Sequence, residues 1–248
     1  MSQRLVYFDV ETTGLHSHRN DRRVEIVNIG AVTTGGHTFQ RFIYPTIDIH
    51  RAATNHIHGI FTVTNGQMRE LAQMSTNKII PSVDPETGLK DFLNWLGQVG
   101  CTYLVSCDFD SFLQCEMIYL FVLKTLISYS QAAYNSRQQN RFQVLDENIW
   151  NFGLYHQFDP VLRNLKYVDY HSEYSALCGP TVPPDSLRSC YGFVFCQRQV
   201  NPHNALSDAQ ATASVFEDLA RGASQLSYRN NPPTYPSFLH YLDATRRY

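Results

Sequence analysis

The run LVYFDVETTGL, residues 5–15, closes an apolar stretch with two carboxylates, Asp9 and Glu11. In a strand, residues i and i+2 share a face. Both acids therefore point the same way at the strand's carboxyl end, where α/β sheets place their ligand sites. Adjacent carboxylates repel and are costly unless a cation neutralises them. Hard oxygen ligands suit Mg²⁺ or Mn²⁺. Thr12, Thr13 and Gly14 then turn the chain away. Spacing alone fits a solvated strand end followed by a turn equally well.

Two further segments carry acids in comparable settings. In CDFDSFL, residues 107–113, Asp108 and Asp110 follow an apolar strand and precede a long amphipathic helix over 111–126. Asp110 can ligate a metal, or serve as an N-cap or first-turn helix acid. In HNALSDAQAT, residues 203–212, Asp208 falls in the first turn of a helix expected over 206–221. Residues three or four apart on a helix share a face, so Asp208 lies near Asn204 and Ala205. His203 stays on the preceding loop and can lean over whatever Asp208 binds. A loop histidine and an acid near a helix start are each commonplace by themselves.

The elements that must hold these residues follow from patterning. Strands are expected over 4–10, 24–33 and 37–44, with Gly35 and Gly36 as a hairpin signal. Short turns between them predict an antiparallel meander. A short helix over 49–60 should close at Gly59, another helix is expected over 66–80, and 81–88 reads as a loop. Residues 90–97 have helical spacing, and 101–106 form a buried strand. The polar stretch 128–143 reads as a mobile connection, 142–145 as a last strand, 147–152 as a helix start and 179–185 as a loop. A domain over 1–226 is followed by a tail, 227–248, with a short helix.

Composition narrows the function. With 248 residues and 43% hydrophobic content the chain can bury a sizeable core. Its 20 basic and 22 acidic residues give a net charge of −2, which excludes bulk polyanion binding and leaves a local basic patch with a short footprint. The six cysteines lack zinc-site spacing, the amino terminus lacks a signal peptide, and Lys124 interrupts the most apolar stretch, 117–127. The expectation is a soluble intracellular protein, cytoplasmic or nuclear, with free thiols and no membrane contact.

Taken together, Asp9, Glu11, Asp110, Asp208 and His203 resemble the site of the DEDDh family of 3′–5′ exonucleases, the DnaQ-like and three-prime repair exonuclease-like enzymes of the RNase H-like superfamily. FDVETTGL, FDSFL and HNALSDAQAT match that family's three motifs in order, with VEIVNIGAV and HIHGI between them, over residues 4–221. The second motif departs from the pattern: relatives often carry His-Asn before the Phe-Asp pair, where this chain reads LVSCDFD. Asp110 is preferred over Asp108 because Phe109 precedes it and Phe112 and Leu113 follow.

The resemblance implies an α/β, RNase H-like mixed sheet, with its first three strands antiparallel and later ones parallel, flanked by helices. It implies two Mg²⁺ ions, with Mn²⁺ able to substitute, serving both ends of an in-line displacement. Asp9 would bridge them, Glu11 and Asp208 would hold the nucleophile-side ion, and Asp110 would hold the other. His203 would be the general base and no ligand. Thr12, Gly14, Leu15, His58 and Ile60 would grip the terminal nucleotide. The partner would be a nucleic-acid 3′ end, single-stranded, with DNA slightly favoured over RNA, and the products nucleoside 5′-monophosphates. The alternative is a catalytically silent nucleic-acid-binding or protein-interaction module on the same fold. Such a module would be expected to lose at least one of the five residues. An unrelated metallophosphoesterase would want more histidines than the cluster His50, His56 and His58 supplies.

Overall fold

The computed structural model describes residues 5–14, 23–65, 68–107, 141–169 and 187–222. Leu15, Asp108, Asp110, the helix expected over 111–126, the loop over 179–185 and the tail over 227–248 lie outside the described residues.

In chain order the strands and helices are β1 (Leu5–Thr12), β2 (Ile26–Thr33), β3 (Thr38–Phe42), β4 (Ile60–Asn65), β5 (Met68–Gln73), β6 (Lys78–Ile80), α1 (Pro85–Val99), β7 (Tyr103–Ser106), α2 (Arg141–Asn151), α3 (Tyr155–Leu162), β8 (Lys166–Asp169), α4 (Leu187–Phe195) and α5 (Ala205–Gly222). The main sheet has the order β3-β2-β1-β7-β8. β1–β2 and β2–β3 pair antiparallel, whereas β1–β7 and β7–β8 pair parallel. This is the expected mixed sheet, with β1 at its centre.

Alternation along β1 divides the core. Val6, Phe8 and Val10 pack with Phe92, Leu93 and Leu96 of α1, and with Phe142, Leu145 and Ile149 of α2. Phe8 and Phe142 lie 5.3 Å apart and Phe39 and Phe92 5.4 Å apart, centroid to centroid. On the other face Tyr7 joins Val105, Val168, Ala209, Val215 and Phe216. Tyr7 and Phe216 meet edge-on at 5.6 Å. Burying such a side chain fully contributes ~1.5–3 kcal/mol. Farther along this second face, Asp9 and Glu11 replace apolar residues.

Several expectations need correction. Residues 68–80 are not a helix but β5 and β6, which pair with β4 as a second, three-stranded sheet. Met68–Gln73 reads MRELAQ, rich in good helix formers. Pairing with β4 along all six residues overrides that propensity. Residues 142–145 are not a strand but the first turns of α2, because Phe142, Val144, Leu145 and Ile149 bury one side of a helix. Residues 141–143 therefore belong to α2 rather than to a mobile connection. α1 starts within the expected loop: Asp84 caps it by accepting from Thr87 N–H at 2.9 Å, and Pro85 occupies the first turn. β8 was not anticipated. Glu25, just before β2, and Asn28 within it are both buried: Glu25 accepts from Thr46 N–H and Oγ1–H, and Asn28 lies under the start of α5, accepting from Ala205 N–H. The expected helix over 49–60 is Arg51–Ala53 running into a π-helical turn, Thr54–His58, closed by Gly59 at φ 66°.

Candidate metal centre

β1 delivers Asp9 and Glu11 to the carboxyl end of the central strand, both almost fully buried. In β2, Gly30 faces Asp9 and Asn28 faces Glu11. Gly30 permits the close approach of α5: a Cβ there would stand 2.0 Å from the Leu206 backbone nitrogen and 2.2 Å from the Ala205 carbonyl carbon. Asn28 Oδ1 accepts from Ala205 N–H at 3.2 Å. Asn204 caps the helix by accepting from Ser207 N–H at 3.2 Å, and Gln40 donates to the same oxygen at 3.2 Å. These bonds pin the amino end of α5 beside Glu11 and set Asp208 in its first turn.

Asp208 is held from two sides. His203 N–H donates to its Oδ2 at 3.1 Å, and the Gln199 side-chain amide donates to its Oδ1. His203 has a left-handed backbone, φ 64°. For a residue with a side chain that conformation costs ~1–3 kcal/mol and tends to gather at functional sites. One ligand atom each from Glu11, His203 and Asp208 lies within 4.8 Å of the others. Three of the five expected residues thus converge from β1, a loop and α5. Asp9 stands beside them, close enough for its charge to act on Glu11 and Asp208.

Burial and mutual repulsion set the electrostatics of the acids, opposed by one guanidinium. Burial, and then the charges of Asp9 and Asp208, push Glu11 well above the usual carboxylate range, with Arg141 opposing. Burial and then Asp9 raise Asp208 to about 7. Burial also raises Asp9, against the pull of Arg141. Asp9 Oδ1 pairs with the Arg141 guanidinium, while Asp9 Oδ2 is buried with no hydrogen-bond partner among the described residues. Carboxylate oxygens and an imidazole, one oxygen buried and unpartnered, fit a hard divalent ion such as Mg²⁺ or Mn²⁺. Burial, then Arg141 and Arg188, lower the His203 pKa, which keeps the ring neutral at pH 7.

The substrate-facing candidates divide. The Thr13 N–H donates to the Glu25 carbonyl at 2.8 Å, and the His50 N–H donates to the Thr13 carbonyl at 2.7 Å. These bonds fix the chain leaving β1. Thr12 Oγ1 donates to the Gly14 carbonyl at 3.1 Å. His58 is buried, and Ile60 N–H donates to its Nδ1 at 3.0 Å. Its proton is therefore on Nε2, which donates to the Thr12 carbonyl at 3.0 Å. Desolvation lowers His58 to about 4, so this neutral tie persists. Ile60 is 3% exposed and packs with Val27 and Leu71. Its side chain sits in a small core rather than on a surface where a base could stack.

Asn28, Gly30, Gln40, Gln199 and Arg141 hold the site but had no place in the expected set. Gly30 carried a signal, since glycine inside a strand pattern marks close backbone approach. Arg141 carried none, as it ends a polar stretch whose partners are remote in sequence.

Comparison with known proteins bears on the fold. Residues 3–108 match the family model of the Exuperantia RNase H-like domain. Maternal protein exuperantia of Drosophila melanogaster is 39% identical over 97 residues, a match spanning 38% of this chain and 16% of that protein. The Drosophila virilis protein is 38% identical over 97 residues, spanning 38% and 18%. The matched segment is thus less than a fifth of these relatives' length. Among solved structures, a 3′-exonuclease described for 3′-end-specific recognition of a histone mRNA stem-loop has a TM-score of 0.55 at 12% identity, covering 90% of this chain and 65% of that one. The nuclease domain of 3′hExo, a DEDDh family member bound to rAMP, has a TM-score of 0.52 at 14% identity, covering 90% and 94%. The protein has the RNase H-like fold, in the form shared with DEDDh 3′-exonucleases and matched over residues 3–108 by the Exuperantia RNase H-like domain.

Proposed function

We propose that this protein is a divalent-metal-dependent 3′–5′ exonuclease acting on nucleic-acid 3′ ends. One observation carries the reading: Glu11, His203 and Asp208 converge within 4.8 Å, beside a buried Asp9 oxygen that has no hydrogen-bond partner among the described residues. Burying several like charges is destabilising unless a cation is held there, so packing alone gives no reason for the cluster.

Bound Mg²⁺ or Mn²⁺ would supply a hydroxide at neutral pH and neutralise the charge developing on the phosphate. Asp9, Glu11 and Asp208 are the residues that would hold it, with Asp110 joining from the second motif. His203, neutral at pH 7, takes the proton of the attacking water. Its lowered pKa keeps the base form available in mildly acidic solution. The backbone of Thr12 and Gly14, fixed through Thr13 and His58, offers polar groups to the terminal 3′-hydroxyl. Single strands are the expected substrate, because a net charge of −2 gives little overall attraction for tracking a duplex.

A second reading is favoured by one specific contact, the Arg141 guanidinium on Asp9. A carboxylate already paired with an internal cation suits a nucleic-acid-binding module without hydrolysis. End-labelled oligonucleotides separate the two. With Mg²⁺, the exonuclease reading expects stepwise shortening of 5′-labelled DNA or RNA and immediate loss of a 3′ label, both abolished by EDTA. Binding without shortening of either substrate would establish the silent module.

A further inference from the structure

The geometry points to Arg141 as a resident cation of this site, filling one of two cation positions around Asp9 so that the wild-type centre takes a single divalent ion. The inference rests on the metal-dependent reading above and revises the expectation of two ions.

Asp9 is the residue shared between the two positions. Its Oδ1 is paired with Arg141. The same guanidinium donates through Nη1 to the backbone carbonyl of Cys107, just beyond β7. Arg141 is thus anchored between the carboxyl ends of β1 and β7, which are parallel neighbours. Beside Asp9 lie Glu11 of the same strand, Asp208 of α5 and His203 of the loop before α5, with ligand atoms within 4.8 Å of one another. Asp9 Oδ2, buried and without a hydrogen-bond partner among the described residues, remains for an ion. The two oxygens of one carboxylate are thus in different states, Oδ1 paired with the guanidinium and Oδ2 open to an ion.

Charge supports the same division. Asp9 already has one positive partner in this guanidinium, beside the cluster of Glu11, His203 and Asp208. Arginine remains protonated throughout the physiological range, and its planar fork matches carboxylate and phosphate oxygens. It therefore supplies a permanent positive charge beside Asp9, but cannot activate water as a metal does. Arg141 is anchored by a backbone carbonyl at one nitrogen and a buried carboxylate at another, so an incoming second ion would have to displace both contacts.

The test is calorimetric titration of Mn²⁺ into the full chain, for wild type, Arg141→Gln and Arg141→Lys, with thermal melts to establish folding. The inference expects one Mn²⁺ per wild-type chain, one in Arg141→Lys, and two in Arg141→Gln, where Asp9 Oδ1 is released. Two ions bound by wild type would overturn it and leave the metal-dependent reading standing. So would one ion in a folded Arg141→Gln. Failure of every form to bind Mn²⁺ would instead remove the metal-dependent reading itself. The wild-type stoichiometry decides the matter even if Arg141→Gln does not fold.

Discussion

The two faces of β1 do opposite things with the same backbone. On one, Val6, Phe8 and Val10 meet aromatic and aliphatic side chains from α1 and α2, and every contact favours the folded state. On the other, Tyr7 begins in the same manner against Phe216, but the next positions are Asp9 and Glu11, buried with raised pKa values. The first face stabilises the sheet. The second uses that stability to hold charges that would separate if free to do so. The candidate site therefore lies where the packing rule is broken, and the surrounding order is what allows it to be broken.

The largest expected effect comes from the contact that joins the faces to α5. Gly30→Val places side-chain carbon where the backbone of Leu206 already lies. It should displace α5, lower the melting temperature severely and abolish Mn²⁺ binding together. A folded Gly30→Val protein with wild-type Mn²⁺ affinity would show that α5 does not rest on β2 as described.

Phe92→Ala tests the apolar face alone. It should destabilise the fold by ~3–5 kcal/mol, measured by urea unfolding, while the folded protein keeps its Mn²⁺ affinity. Glu11→Gln tests the acidic face and should act with opposite sign. Removing a buried charge repelled by Asp9 and Asp208 should raise the metal-free melting temperature and weaken Mn²⁺ binding. A fall in metal-free stability would mean that the carboxylate is satisfied in a way not seen here.

The smallest effect is a pH dependence. Asp208 is raised from 3.8 to about 7. A group raised on folding contributes stability fully present below its unfolded pKa and lost as pH rises through its folded pKa. Metal-free wild type should therefore lose stability relative to Asp208→Asn between about pH 4 and pH 7, as that shift sets the window. Thermal melts across that range check it, and a gap constant with pH would contradict it.

Much of this was legible in the residues. Alternation and hairpin glycines fixed the three-stranded meander, and the spacing of Asp9, Glu11, His203 and Asp208 located the end of the sheet where they meet. The helix over 206–221 was plain from its apolar periodicity. What was not legible depended on partners far along the chain. Met68–Gln73 carries helix-forming residues, and only β4 makes it a strand. Phe142 and Leu145 have the composition of a short strand, and only burial against Phe8 and its neighbours shows the helical face. Arg141 is unremarkable in a polar stretch, yet it reaches a carboxylate near the amino end of the chain.

The central claim is that the acidic face is a metal centre that cuts nucleic acid from its 3′ end. The most direct measurement is chromatographic detection of nucleoside 5′-monophosphates released from a single-stranded oligonucleotide by wild type and by Asp9→Asn, with Mg²⁺ and with EDTA. The account predicts release by wild type with Mg²⁺ only, and none by Asp9→Asn. Equal release by both proteins, release in EDTA, or none from wild type on either DNA or RNA would contradict it.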